Sequence, residues 1–226
     1  MVNQLVLNTA TIGLVISIIG FEVGVFLRPI FNPLLVAIIF VIIVLNVFNI
    51  DYDSYYASAD NLSYLLTPAT VCLAIPLYQQ IEQLKKHKGA IFAGITAGVL
   101  TSLCTVLVLS LLFQLTHEEY VTLLPKSITT AIGMGLSQES GGYVTITVAV
   151  IILTGVLGNM FCEIICKLVG ITHPVAKGIA IGTSSHAIGT ARAMQLGEVE
   201  GAMSGLSIVI SGIITLIGAQ IFAGFI

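Results

Sequence analysis

Long apolar segments, separated by short polar stretches, recur along the whole chain. Each has the roughly 20 residues that a helix needs to cross the hydrocarbon layer of a membrane. No strong alternation of apolar and polar positions, which would indicate a membrane barrel, accompanies them. The pattern therefore predicts an all-α polytopic membrane protein with about six spanning helices. These spans are residues 4–27, 33–50, 62–82, 89–115, 143–167 and about 202–226.

Two segments between these spans have a different pattern. Residues 124–142 (LPKSITTAIGMGLSQESGG) and residues 178–197, which contain GTSSHAIGTARAMQLG, mix apolar residues with hydroxyl side chains and glycine. Such interruptions are tolerated at membrane depth only where protein or a cavity surrounds them. We predict that both segments are broken or re-entrant helices, within a single transmembrane domain over 1–226 that has its N-terminal spans in 1–118 and its core in 119–226.

The two interrupted segments also resemble each other. The run TAIG beginning at Thr130 aligns with HAIG beginning at His186, and at the same offset Gly141 aligns with Gly197. A span of similar length follows each run. If the first segment re-enters, one crossing separates the two, so that they approach from opposite faces of the membrane. Inverted repeats of this kind form the substrate site of many secondary transporters.

Composition strengthens the membrane assignment and excludes several functions. The 226 residues are 57% hydrophobic and 8% charged, against about 25% charged in a soluble domain. The net charge of −3 is too small and too dispersed to indicate a nucleic-acid partner. P-loop, GxSxG and HExxH motifs are absent, so we expect no enzyme activity, no cofactor, no metal site and no catalytic residues. The four cysteines lie in apolar segments and are expected to be buried.

Orientation follows from the lysines, because short basic loops stay in the cytoplasm. The run Lys85, Lys86, His87, Lys88 is the basic cluster of the chain. Counting spans from it places both termini outside. If residues 124–142 re-enter from outside, Lys167 and Lys177 also fall in the cytoplasm.

Hydroxyl side chains cluster where each interrupted segment restarts its helix. Free N–H groups and the partial positive charge at a helix N-terminus suit an anion, and a carboxylate is the expected guest. The alternative is that these hydroxyls bond to carbonyls of their own helix or join neighbouring helices. The candidate substrate-binding residues are Ser127, Thr129, Thr130, Thr183, Ser184, Ser185, His186, Gly189, Thr190 and Arg192.

Arg192 is a costly residue within a membrane, at about 2.5 kcal/mol or more unless it faces water or a partner. Its guanidinium can bind a carboxylate substrate in a bidentate manner. Alternatively it pairs with a protein carboxylate, for which Glu139, Glu198 and Glu200 are the candidates, and both roles are compatible.

His186 is a candidate for substrate binding or for carrying a proton, since an unperturbed imidazole titrates in the physiological range. A structural role is the alternative. Asn159 and Glu163 share one face of the span over 143–166. Asn159 lies deeper than Glu163 and is expected to contact and support the core.

Several stretches of the sequence resemble one known family. GTSSHAIGTARAMQLGEVEGAMSGL is similar to the hallmark of the LrgB/CidB family, and PKSITT, PATVCLAIPLYQQ and HPVAKGIAIGTSSHAIGT are similar to further blocks of that family. The resemblance covers nearly the whole chain. One departure is Ala131-Ile132-Gly133, where relatives often have Pro-Ile-Ala, which makes the first break less sharp.

The resemblance implies a function and a setting. Members of the family were first described as holin-like or antiholin-like proteins that modulate murein hydrolases and lysis beside a smaller LrgA/CidA membrane partner. Others, including a plastid glycolate/glycerate translocator, move small 2-oxo or 2-hydroxy carboxylates, and the fold is thought to resemble elevator transporters. We therefore expect a homo-oligomer, with a dimer favoured, in a bacterial cell membrane.

Two functions remain open at this point. The first is a secondary transporter or facilitator of small monocarboxylates such as pyruvate, acting with an LrgA/CidA-type partner. The second is a holin-like oligomer that modulates murein hydrolase activity and lysis. Polarity that concentrates in two interrupted elements, rather than in a stripe along crossing helices, favours transport.

Overall fold

The computed structural model describes residues 2–27, 33–65, 68, 71–72 and 74–226. All regular secondary structure among these residues is helical, which confirms the predicted fold class at that level. The chain divides into two compact units, Met1–Cys72 and Leu73–Ile226, which are described separately as unit 1 and unit 2.

Unit 1 consists of helices that pack through small residues. The Gly13 N–H donates to Ser58 Oγ over 2.8 Å, and the Ser17 and Tyr55 hydroxyls lie 2.9 Å apart. Asp51 caps the acidic segment that follows the second span, and this segment is helical. The elements are α1 (Val2–Phe26), α2 (Pro33–Val47), α3 (Tyr52–Ala59) and a 3-10 helix (Asp60–Leu65).

The described residues contain three helices that are long and apolar enough to cross a membrane: Leu84–Phe113, Val144–Leu168 and Glu198–Ala223. They correspond to three of the predicted spans. Two shorter apolar helices, Thr11–Phe26 and Leu35–Val47, correspond to the first and second spans.

The other boundaries differ from the prediction or lie outside the described residues. The described residues of the predicted third span, 62–82, do not form one continuous helix but divide mainly between the 3-10 helix and a short helix, Ala74–Gln79. Arg28 and Pro29, which were expected to end the first span, lie outside the described residues.

Unit 2 is a bundle of three long helices and two interrupted elements. The basic cluster 85–88, predicted to be a loop, lies within a helix, because Glu, Gln and Lys are good helix formers and extend it beyond the apolar segment. The elements are α4 (Ala74–Gln79), α5 (Ile81–Phe113), α6 (His117–Leu123), α7 (Thr130–Glu139), α8 (Val144–Leu168), α9 (Pro174–Leu196) and α10 (Glu198–Ala223).

One face of α5 forms the centre of the apolar core of unit 2. Its buried residues recur every three or four positions, as a helix face requires. They pack against buried residues of α6, α7, α9 and α10, and hence against both interrupted elements. The cluster includes Ile91, Ile95, Val99, Leu103, Val106, Tyr120, Leu136, Met203 and Ala219.

The first interrupted element, predicted over 124–142, begins in the structure with the short helix α6. Residues 117–142 together turn back on themselves and are called the first reversal below. Helix α6 leads into turns at 124–129, and α7 has 10 residues, or about 15 Å, too short to cross. After α7, the Tyr143 N–H donates to Thr122 Oγ1 over 2.7 Å, and Thr147 Oγ1 donates to Ser137 Oγ over 2.7 Å. The chain thus leaves the end of α6 and returns to it.

Helix α6 is anchored at its start by a capping box. Thr116 N–H donates to Glu119 Oε2 over 2.8 Å, and Glu119 N–H donates to Thr116 Oγ1 over 3.3 Å. Hydrogen bonds from its own backbone N–H and from Thr116 hold the pKa of the exposed Glu118 carboxyl below its usual range. The entry to the first reversal is therefore fixed by local sequence.

The second interrupted element is α9, whose backbone breaks at His186 with φ 41° and ψ −140°. A Cβ atom at Gly189 would lie 3.1 Å from the Ile181 side chain, and Ile181 and Ala193 belong to one apolar cluster. In a continuous helix these last two residues would be about 18 Å apart. The chain therefore reverses at His186, which is called the second reversal.

The two reversals enter unit 2 from opposite ends. Tyr120 Oη donates to the Phe222 carbonyl over 2.9 Å, which places α6 beside the end of α10. At the other end the His87 and His173 rings lie 5.7 Å apart, so that the basic cluster of α5 lies beside the start of α9. We call these the Tyr120 end and the His87 end.

Replacement of Gly182 by alanine should destabilise unit 2. An added Cβ would meet the Ser204 carbonyl oxygen and lie 2.8 Å from Ser207 Cβ, and overpacking of this kind costs about 1–3 kcal/mol. We expect the melting temperature of the purified protein in detergent to fall by about 2–12 °C. Gly135→Ala is the control, because nothing lies within 4 Å of its added Cβ. Equal melting temperatures for the two variants would contradict this packing.

The reversals can be tested by labelling single cysteines from each side of the membrane, after replacement of the four native cysteines. Because α9 reverses, cysteines at Lys177 and Glu198 should react from the same side, and the lysine bias places that side in the cytoplasm. Cysteines at Glu118 and Ser140 should react from the opposite side. Labelling of Lys177 and Glu198 positions from different sides would mean that α9 crosses completely.

Candidate functional site

A cavity of about 970 Å³ lies within unit 2 between α5, α8, α9 and the turn of the first reversal. His87 and Ser102 both line it and are separated by about 22 Å along α5, so the cavity extends from the His87 end to the middle of the bundle. No Asp or Glu is among the described residues that line it. Its polar lining consists of His87, Thr101, Ser102, Thr105, Lys126, Ser127, Thr154, His173, Thr183, Ser184 and Ser185.

Lys126 supplies a positive charge to the deep part of this cavity. Its Nζ donates to Ser127 Oγ over 3.1 Å, and Ser127 Oγ lies 3.1 Å from Ser102 Oγ on α5. Among the described residues no carboxylate forms an ion pair with Lys126. A half-buried ammonium group without a protein carboxylate, beside hydroxyl donors, favours binding of an anion.

Three consecutive hydroxyl side chains of α9, at Thr183, Ser184 and Ser185, also line the cavity. The Ser184 and Ser185 hydroxyls lie 3.0 Å apart, and Ser184 Oγ also lies 3.3 Å from the Ile181 carbonyl. A Cβ atom at Gly158 of α8 would overlap the Ser185 side chain, so this glycine permits the close approach. The Thr183 hydroxyl is buried without a hydrogen-bond partner. The cavity is thus bounded by hydroxyl groups from both reversals.

His186 lies behind the cavity and holds the second reversal. The residue is 2% exposed, and its Nε2 lies 3.0 Å from the Ile151 carbonyl of α8, to which it donates. Thr190 Oγ1 donates to the His186 carbonyl over 2.9 Å and lies 2.7 Å from Ser204 Oγ. These contacts satisfy the polar groups around the break, and neither His186 nor Thr190 lines the cavity.

Two further candidates also support the backbone of the second reversal. Asn159 was expected to contact and support the core. Its Nδ2 donates to the Ile188 carbonyl over 2.8 Å, just after the break in α9. Gly189 packs against Ser185 and Ile181, where a Cβ would be too close to the Ser185 side chain.

Arg192 forms an ion pair with Glu163 of α8 and donates to Gln195 Oε1 over 2.8 Å. Both charged side chains are about one-third exposed, and neither lines the cavity. The reversal at His186 runs the second half of α9 along α8, which brings Arg192 to Glu163. This partner was not among the predicted ones, because the contact depends on the reversal rather than on sequence spacing.

The remaining sequence candidates lie away from the cavity lining. Thr129 is the N-cap position of α7 without a side-chain cap hydrogen bond, and Thr130 is the first residue of that helix. Glu139 and Glu198 are exposed, and Glu200 is half-buried in the first turn of α10. Among the described residues, none of these three carboxylates pairs with Arg192.

Sequence analysis missed Lys126 and Ser102. Lys126 lies in PKSITT, directly before a residue that was singled out, so a cation inside an interrupted membrane segment was an available signal. Ser102 lies in an otherwise apolar span and carries no such signal, because serine in membrane helices usually bonds within its own helix.

Comparison with known proteins gives one family. The model of the LrgB-like family matches residues 10–225, and thus both units and every residue discussed in this section. No solved structure matches the chain.

The pairing of Arg192 with Glu163 can be tested by a double-mutant cycle. Arg192→Gln and Glu163→Gln should each lower the melting temperature, and the double variant should lose less than the sum. A coupling of about 0.5–1 kcal/mol is expected for a partly exposed pair. The control cycle of Arg192→Gln with Glu198→Gln should be additive. Additivity in both cycles would show that the ion pair does not stabilise the protein.

Proposed function

Because the chain belongs to the LrgB-like family of membrane proteins, we propose that it is a secondary transporter or facilitator of small monocarboxylates such as pyruvate, glycolate or glycerate. The observation that carries the proposal is a cavity in which Lys126, without a carboxylate partner, meets hydroxyl groups from two chain reversals. A transporter requires an anion-binding site of this kind within the membrane core, whereas an enzyme would require a set of catalytic side chains.

Lys126 and Ser127 are the proposed carboxylate-binding residues. The ammonium group provides the opposite charge that offsets removal of a carboxylate from water, and Ser127 with Ser102 holds it in place. The α9 hydroxyls face the rest of the substrate. Arg192, the cation first considered, keeps a supporting role because Glu163 already neutralises it.

The arrangement of the reversals supports an alternating-access mechanism. Thr130 begins the returning helix of the first reversal, and the aligned His186 is the break of the second. After Gly141 and Gly197 the chain continues into α8 and α10, of 25 and 26 residues. This order supports an inverted repeat, whose broken helices are proposed to meet near the midplane. The two reversals then move as a block and carry the anion between the faces, as in an elevator transporter.

The setting of the protein follows from its charges and its family. The lysines at the His87 end favour the cytoplasmic side of a bacterial cell membrane, with both termini outside. With that orientation, the His87 end of the cavity lies on the cytoplasmic side. A small LrgA/CidA-type membrane protein is the proposed partner, and a homodimer the proposed assembly.

Uptake of labelled pyruvate into proteoliposomes, with and without the smaller partner, tests the function. Lys126→Gln should reduce uptake at least about tenfold, because an unpaired buried carboxylate is costly. Lys167→Gln is the matched control, since that lysine is exposed in the last turn of α8, and its uptake should equal that of the wild type.

Two results would contradict the proposal in different ways. Saturable uptake that survives Lys126→Gln unchanged would remove the carboxylate site. No uptake by the intact pair, together with release of an entrapped dye of much larger size, would favour a holin-like oligomer.

A further inference from the structure

The cavity is much larger than the small acids proposed above. Pyruvate has so few non-hydrogen atoms that it fills roughly 180 Å³ if each atom takes the volume of a water molecule in the liquid. The cavity has about 970 Å³ and extends over about 22 Å of α5 between His87 and Ser102. Cavities of this size usually hold a larger ligand that has an apolar body and a few polar groups. Most of the volume is therefore left over when a small acid occupies the Lys126 site.

Small residues of α5 form one wall of the cavity between its deep part and the His87 end. Gly98, Gly94 and Ala90 precede Ser102 at steps of four residues, and all four residues line the cavity. They therefore lie on one face of the helix. Because their side chains are absent or small, they leave space beside the helix over about 18 Å from Ser102 to Ala90. We call this space the α5 groove.

Apolar residues of α8 and α9 border the α5 groove. Ile179 of α9 lies close to Gly94, where an added Cβ would be 3.6 Å from Ile179 Cγ2, and Val175 lines the cavity one turn before Ile179. Leu157 and Ile165 of α8 also line the cavity, and these two residues are 46% and 52% exposed. An alkyl chain transferred from water into the α5 groove would gain contact with apolar surface of this kind.

The charges of the cavity suit a ligand with a single carboxylate. Lys126 lies in the deep part, where its Nζ donates to Ser127 Oγ over 3.1 Å, and no Asp or Glu is among the described lining residues. The other ionisable groups of that lining are His87 and His173, whose rings lie 5.7 Å apart at the His87 end. The α5 groove thus extends from a site for one negative charge along an apolar section.

We propose that this cavity binds medium-chain monocarboxylates, with the carboxylate at Lys126 and an unbranched chain of about eight to ten carbons in the α5 groove. The carboxylate site rests on the proposed function, whereas the site for the alkyl chain is additional to it. An extended chain advances about 1.1–1.2 Å per bond, so that ten carbons cover about 11 Å. Ser102 and Gly94 are about 12 Å apart along α5, and a chain of this length therefore ends near Gly94.

Such an acid competes with pyruvate, because both place a carboxylate at Lys126. Its affinity increases with chain length, because each methylene that leaves water contributes to binding. Complete burial corresponds to about fourfold per methylene, and in a groove with half-exposed α8 residues we expect about twofold. A second charge at the far end of the chain weakens binding, because the apolar section offers it no partner.

Inhibition of labelled-pyruvate uptake into proteoliposomes, with the smaller partner present, tests the proposal. The inhibitors are unbranched acids of three to ten carbons, and retention of an entrapped dye shows that the vesicles remain intact. Decanoate, with six more methylenes than butyrate, should inhibit about sixtyfold more strongly. Decanedioate, which has the same length and a second carboxylate, should inhibit no better than butyrate. Decan-1-ol, which lacks the carboxylate, should not compete.

Gly94→Leu tests the position of the alkyl chain. The new side chain would occupy the α5 groove about 12 Å from Ser102, so the inhibition constant of decanoate should rise at least about fivefold. The KM for pyruvate should change less than about twofold. Gly89→Leu is the matched control and should resemble the wild type, because Gly89 does not line the cavity and nothing lies within 4 Å of its added Cβ. Melting temperatures are measured in parallel to identify loss of folded protein.

Direct binding separates this proposal from the proposed function. Labelled decanoate is equilibrated with the purified protein in lipid nanodiscs, and empty nanodiscs give the background. The wild type should bind one molecule, and Lys126→Gln and Gly94→Leu should each bind at least about fivefold more weakly. If the wild type takes up no pyruvate, the proposed function fails, whereas decanoate binding that depends on Lys126 and Gly94 still supports this site.

Three outcomes would overturn the proposal. Equal inhibition by butyrate and decanoate, with normal pyruvate uptake, overturns it and leaves the proposed function intact. Decanoate binding that is unchanged in Lys126→Gln, or that decan-1-ol displaces equally well, means that the α5 groove holds any lipid chain rather than a carboxylic acid. Binding to the wild type that does not exceed the background of empty nanodiscs means that the groove is not a ligand site.

Discussion

The reversal of the chain at His186 is the constraint on which the rest of unit 2 depends. Hydrocarbon offers no hydrogen-bond partner, so a broken helix is tolerated only where protein groups satisfy it. Here the His186 ring bonds to the Ile151 carbonyl, Thr190 bonds to the His186 carbonyl, and Asn159 bonds to the Ile188 carbonyl. A positive φ at a residue other than glycine costs of order 1–3 kcal/mol, which these contacts offset. The reversal then presents the α9 hydroxyls to the cavity.

Glycine makes this reversal fit between its neighbours. In a membrane, helices associate through close packing and polar contacts rather than through the hydrophobic effect, and small residues permit the approach. Gly155 and Gly158 of α8 lie against the His186 and Ser185 side chains, while Gly182 lies against the α10 backbone at Ser204. Close contacts at these glycines therefore determine the shape of the cavity. Hydroxyl side chains line it, and Lys126 contributes a positive charge.

Lys126 and Arg192 show how the fold assigns different roles to two cations whose placement within a membrane has a similar free-energy cost. Both lie in interrupted segments of an apolar chain. Arg192 has a carboxylate partner on α8, so its charge is largely neutralised locally. Lys126 has only hydroxyl partners among the described residues, so its charge remains available to an anion in the cavity. The sequence offered no means to choose between them, because the choice depends on which faces meet.

The sequence by itself determined the helical class, the long helices α8 and α10, the two interruptions and their hydroxyl clusters. Apolar length and runs of glycine, serine and threonine act locally, so they can be recognised without a fold. Only the tertiary structure decided that Glu163 pairs with Arg192, that Ser102 and Lys126 line the cavity and that Thr183 remains unpaired. Each of these depends on contacts between helices far apart in sequence, and two chain reversals set those contacts.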